Sequence, residues 1–131
     1  MMLLAPVPAF AHEFLDYFEY GRAELSPAGY VMTRSVARYA LSGRPARIVI
    51  TGFVDTAEEI SFSEELARKR AQSVATELVL MGVDPALIEQ HARGGEALAR
   101  PTPRNTPERL NRRVVVSVSF HQSSPAANLQ R

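Results

Sequence analysis

Arg47 to Phe53 is a run of apolar and β-branched residues with Ile48, Val49 and Ile50 at its centre. It reads as a buried strand, because strands covered on both faces carry such continuous apolar runs. Helical patterns stand on either side of it. Leu25-Ser26-Pro27 signals a helix start, with Ser26 as N-cap and Pro27 at the first helical position. Gly29, Met32, Thr33, Val36 and Ala40 then share one helical face, and Ser42-Gly43 ends the helix. Asp55 to Ser61 reads as a polar loop. Ser61 or Ser63 caps a longer helix that runs to about Met81 and is closed by Gly82.

Phe14 to Tyr20 is aromatic-rich and reads as a strand with Phe14, Phe18 and Tyr20 on one face, broken by Gly21. Asp84-Pro85 begins a short turn of helix, Ile88 to Arg93 is a further strand, and Gly94 to Asn105 is a long connection. Thr106-Pro107-Glu108 opens another short turn. Val114, Val116, Val118 and Phe120 alternate with Val115, Ser117 and Ser119, as in a final strand. The order is β-α-β-α-β-β. A helix follows a strand twice, which predicts parallel pairing across right-handed crossovers, and the last two strands lack such a helix. The expected fold is α+β: a βαβαββ two-layer sandwich, with a mixed four-stranded sheet and its helices on one face.

The chain's 131 residues suit one domain. The absence of Cys excludes a disulfide scaffold, a Cys-ligated metal site, a Cys nucleophile and a lipobox in this sequence. His12, His91 and His121 show no metal-ligand spacing, and neither metal nor cofactor is expected. No apolar run is long enough for a transmembrane helix. A net charge of +1 gives no global drive toward nucleic acid. The local excess carried by Arg93, Arg100, Arg104, Arg109, Arg112 and Arg113 has no interleaved aromatic residue for base stacking. Residues 1–11 end in Ala9-Phe10-Ala11 and read as a remnant of a signal peptide. Residues 12–121 form the domain, and residues 122–131 are a disordered tail. Glu58-Glu59 and Glu64-Glu65 read as surface charge complementing a helix start rather than as catalytic pairs, and no enzymatic motif stands out.

The most informative anomaly lies in the long helix. Phe62, Leu66, Arg70, Val74 and Leu78 recur at i+4 spacing, so an arginine interrupts an apolar stripe. A charge there requires a partner. Asp55, just past the C-terminal end of the buried strand, is the nearest candidate. Arg70 offers a planar fork for a carboxylate, and Asp55 an acceptor for an ammonium. Free N–H groups at the helix start favour an anion. Such a pair suits a zwitterion such as the free amino-acid end of a larger molecule. It equally suits a structural Asp55–Arg70 salt bridge that pins the loop to the helix.

Tyr17-Phe18-Glu19-Tyr20, Ala23-Glu24-Leu25-Ser26-Pro27-Ala28-Gly29, Thr51-Gly52-Phe53-Val54-Asp55-Thr56, Leu66-Ala67-Arg68-Lys69-Arg70-Ala71-Gln72-Ser73-Val74, Gly82-Val83-Asp84-Pro85 and Asn105-Thr106-Pro107-Glu108 through Asn111-Arg112-Arg113-Val114 together resemble the ordered motifs of OmpA C-terminal-like domains. The resemblance runs from about Glu13 to Phe120. It implies noncovalent peptidoglycan binding in the periplasm of a Gram-negative bacterium, without catalysis, through the diaminopimelate of the stem peptide. By motif position the ligand groups are Asp55 and Arg70, with Ser63 and Thr56 beside them and Asn111 and Arg112 in support. Envelope proteins are further expected partners, and association with the outer membrane would run through such a partner. The sequence departs from the family where Phe53 and Val54 replace His and Thr. It also departs at Ala57-Glu58-Glu59, which stands near the place of a loop Gly and adds negative charge at the expected pocket mouth. The alternative implied is a degenerate module on the same fold that has lost peptidoglycan and binds protein.

Overall fold

The computed structural model describes residues 11–95 and 97–121. Apart from Ala11, the expected signal remnant lies outside the described residues, as does the expected tail over 122–131. Four strands, β1 (His12–Tyr17), β2 (Pro45–Phe53), β3 (Ile88–Arg93) and β4 (Arg113–Phe120), form one sheet in the order β1-β4-β2-β3. Two helices, α1 (Pro27–Leu41) and α2 (Thr56–Leu80), cover one face and complete an α+β two-layer sandwich. The shared core is built from Val36, Ala40, Val74 and Leu78 of the helices and Ile48, Ile50, Val114, Val116 and Val118 of the sheet.

β2 pairs parallel with β3, and its other edge pairs antiparallel with β4. The apolar run of β2 is therefore interior to the sheet, as its composition requires. The other crossover differs from the sequence expectation. β1 and β2 are not neighbours, because β4 is inserted between them and pairs antiparallel with both. β4 fits that place: Val114, Val116 and Val118 face the helices, and even Ser117 and Ser119 on its other face are buried.

Local signals explain the element ends. Ser26 caps α1, its Oγ accepting from the Gly29 N–H at 3.1 Å, with Pro27 following as the first helical residue. β1 starts and stops earlier than expected, at His12 and Tyr17. The Phe18 N–H still reaches the Arg112 carbonyl at 2.8 Å, but the Phe18 carbonyl accepts from the Arg112 side chain and the Glu19 carbonyl from Arg70, so the ladder ends there. Phe18 is buried all the same, whereas Tyr20 is exposed. α2 also departs from expectation. The stretch read as a polar loop is helical from Thr56, because Asp55 and Glu58 form a reciprocal capping box. Ser63 is a break inside the helix, at φ 61° and ψ −174°. That break takes Phe62 off the apolar stripe and leaves it 42% exposed, while Leu66, Arg70, Val74 and Leu78 are buried.

Candidate functional site

Arg70 is fully buried. A guanidinium has five N–H donors, and each has an acceptor here. Nε donates to the Arg22 carbonyl at 2.8 Å. One terminal nitrogen donates to the Phe53 carbonyl at 2.9 Å and the other to the Glu19 carbonyl at 3.2 Å. The remaining two donors form a bidentate pair with the Glu58 carboxylate at 2.7 and 2.6 Å. The Phe18 ring lies 5.0 Å from the guanidinium carbon and contributes its π face. The partner that the buried charge requires is thus Glu58 and not Asp55, which corrects the expected Asp55–Arg70 bridge.

Glu58 is itself fully buried, in contrast to the surface role expected of it. The reason is the helix start at Thr56. Asp55 as cap places Glu58 at the third helical position, where its side chain folds back over the helix end. Its carboxylate accepts from the Asp55 N–H at 3.1 Å and the Gly21 N–H at 2.8 Å, besides Arg70. Glu59 remains exposed, as expected.

Asp55 is buried as well, but its partners lie elsewhere. Oδ1 accepts from the Glu58 N–H at 2.6 Å. Oδ2 accepts from the Glu108 N–H at 3.0 Å and from the Arg112 guanidinium at 3.1 Å. Asp55, Glu58, Arg70 and Arg112 therefore form one chain of charge-assisted bonds, in which Glu58 links the two expected ligand groups.

The other expected residues divide. Thr56 donates to the Pro103 carbonyl at 2.8 Å and accepts from the Thr106 N–H at 2.9 Å, which ties the helix start to the long connection. Asn111 is buried and exchanges two hydrogen bonds with the Arg100 backbone, at 2.8 and 2.9 Å. Ser63 is exposed at the helix break and accepts from the Glu65 N–H at 3.3 Å, so it does not join the network. Phe53 and Val54 are absorbed into packing: Phe53 lies under the Arg113 guanidinium at 3.8 Å, and Val54 packs with Leu66 and Ala67. Glu58 is the member that sequence reasoning missed, although the Asp55-x-x-Glu58 spacing of a capping box was present to find it.

A cleft of about 410 Å³ adjoins the network, lined among others by Asp16, Phe18, Glu19, Arg22, Arg109 and Arg112. Asp16 stands at its edge. Burial holds its carboxyl above the ordinary carboxylate range, against the opposing pull of the Tyr17 backbone and of Arg109. No metal-holding group of His, Asp and Glu exists among the described residues, and no described helix is long and apolar enough to cross a membrane.

The chain is similar to known proteins. A 118-residue stretch is 30% identical to an outer membrane protein of Gluconacetobacter diazotrophicus, over 86% of this chain and 31% of that protein. An 80-residue stretch is 34% identical to the peptidoglycan-associated lipoprotein of Pseudomonas aeruginosa, over 61% of this chain and 47% of that protein. The chain thus spans about a third and about half of these two relatives. Among solved structures, the OmpA-like domain of FopA1 from Francisella tularensis superposes with a TM-score of 0.73 at 23% identity, covering 82% of this chain and 71% of that one. Residues 17–113, which hold both helices, β2, β3 and the Asp55–Glu58–Arg70–Arg112 network, match the OmpA family, and the chain belongs to that family.

Proposed function

We propose that this chain is a binding domain of the bacterial cell envelope that holds peptidoglycan noncovalently and performs no catalysis, and that it recognises the diaminopimelate of the stem peptide. The observation that carries this reading is the presentation of Arg70. Three backbone carbonyls fix its guanidinium and turn one edge to a carboxylate in bidentate geometry, the edge that Glu58 holds in this structure. Diaminopimelate offers a carboxylate to Arg70 and an ammonium to Asp55. The cleft lined by Arg22, Arg109 and Arg112 gives room for the adjoining stem peptide. A relative named peptidoglycan-associated lipoprotein and another named outer membrane protein support the compartment and the ligand class. A periplasmic location fits both, with attachment to the outer membrane through an envelope partner.

The test is co-sedimentation with purified sacculi. Wild type is expected in the pellet and free meso-diaminopimelate is expected to release it. Asp55→Ala and Arg70→Lys, checked for folding by circular dichroism, are expected in the supernatant. Equal pelleting of all three, or pelleting that diaminopimelate leaves unchanged, would overturn the assignment.

A second reading is favoured by one observation: Arg70 already holds a carboxylate, that of Glu58. On this reading the domain is a protein-interaction module that has lost its ligand. It requires that cell-wall peptides leave the NMR spectrum unchanged, and shifts confined to the residues around Asp55 and Arg70 would exclude it.

A further inference from the structure

We infer that Glu58 is a resident occupant of the carboxylate seat on Arg70, and that an external carboxylate gains the seat only when Glu58 leaves it. The inference rests on Arg70 being the carboxylate-taking group of the proposed function. Two independent observations carry it.

The first is the saturation of the pair. Arg70 has no N–H left over, because Glu58 takes the last two. The carboxylate of Glu58 is fully used in turn, with four donors directed at its two oxygens. Both side chains have zero solvent exposure. A ligand carboxylate has no unoccupied edge of the guanidinium to approach, so its binding is a competition with an internal group at high effective concentration.

The second is the way Glu58 is mounted. It lies on the Thr56–Phe62 turn, which the break at Ser63 separates from the remainder of α2. A serine at φ 61° and ψ −174° occupies a backbone region that is essentially reserved for glycine. The strain there is maintained by contacts of the turn itself: Thr56 with Pro103 and Thr106, Glu58 with Arg70, and Phe62 edge-on to Tyr20 at 5.8 Å. Once the Glu58 bonds are exchanged for those of a ligand, relief of strain at Ser63 favours movement of the turn. The same movement opens the Oδ1 side of Asp55, which now accepts from the Glu58 N–H, to an ammonium. Glu58 thereby raises the threshold for binding and selects ligands that present both a carboxylate and an ammonium.

The experiment compares wild type with Glu58→Ala and with Glu58→Asp, which retracts the carboxylate by one methylene while keeping the acidic helix start. Thermal melts are run in sodium acetate against equimolar sodium chloride, and meso-diaminopimelate is titrated by calorimetry. Acetate is expected to raise the melting temperature of Glu58→Ala by about 4 °C or more and to leave wild type where chloride leaves it. Glu58→Asp is expected to show the same gain at smaller size, and serves alone if Glu58→Ala does not fold. Meso-diaminopimelate is expected to bind the variants at least about tenfold more tightly than wild type. In wild type at saturating ligand, the Gly21 and Asp55 amide resonances, whose acceptor is Glu58, are expected to shift. Folded variants that acetate does not protect would overturn the seat itself. Acetate protection without diaminopimelate binding would uphold the seat and overturn the diaminopimelate reading. Equal diaminopimelate affinity in wild type and variants would overturn the competition.

Discussion

Asp16 and Glu58 are both shielded carboxylates, and their surroundings treat them oppositely. Glu58 has a donor for every lone pair. Among the described residues the Oδ2 atom of Asp16 has no hydrogen-bond partner, and it is buried against Gly29 of α1. Desolvation accordingly holds the Asp16 carboxyl above its ordinary range. The sign of the linkage follows. An acid whose folded pKa is raised binds its proton more tightly in the folded state, so stability falls as pH rises from the unfolded to the folded pKa and stays lower above it. Asp16→Asn, which removes the charge that burial disfavours, is therefore expected to stabilise the domain at pH 7. The gain is expected to vanish below the ordinary carboxylate range. Urea unfolding at pH 7 and about pH 3 measures it, and an equal gain at both would remove the desolvation account. Residue by residue, the candidate site was half legible. Arg70 announced itself by interrupting an apolar stripe, and Asp55 by its place after a buried strand. Glu58 was hidden among adjacent acids that read as surface charge, because its burial depends on a helix start capped by Asp55, six or eight residues before the caps expected at Ser61 or Ser63.

At the scale of elements, that displaced start is the main departure. The helix–strand–helix grammar was readable wherever a cap or an alternation stood alone: Ser26-Pro27 before α1, Asp84-Pro85 before the 3₁₀ turn Pro85–Leu87, and the valine alternation of β4. It failed where two helical segments abut, because Ser61 and Ser63 are plausible caps and the true cap, Asp55, looked like a ligand. It also could not order the strands, since β4 pairs with two partners far from it in sequence and its side chains report a face rather than a neighbour. The break in α2 makes its own prediction. Glycine at 63 adopts the observed backbone without the strain a serine bears, at the loss of the 3.3 Å Ser63–Glu65 contact. Ser63→Gly is expected to raise unfolding stability by about 1 kcal/mol in urea titration. No gain, or a loss, would mean that Ser63 is unstrained and that the Thr56–Phe62 turn stores nothing for ligand binding.

At the scale of the whole molecule, the spacing between the two layers brings the network together. α2 rests its backbone directly on the sheet at Gly52, one residue before Phe53, whose carbonyl receives Arg70. A Cβ on Gly52 would collide with the Ala67 carbonyl oxygen, and would lie 2.9 Å from the Ala67 carbonyl carbon and 3.2 Å from the Ala71 nitrogen. These are backbone atoms of a helix, which no rotamer change moves aside. Gly52 therefore sets how deeply α2 sinks, and with it the distance from Arg70 to the β2 terminus, to the Phe18 ring and to the carbonyls after β1. Gly52→Ala is expected to force the layers apart, at a cost of about 2–3 kcal/mol, the upper part of the range for overpacking a core. Because the network spans both layers, the damage is not confined to position 52. Amide hydrogen exchange is expected to accelerate at Gly21 and Asp55, whose N–H groups are held by Glu58, as well as along β2. Loss of protection along β2 alone would mean that the Arg70 assembly is held by its own bonds, independently of the sandwich beneath it.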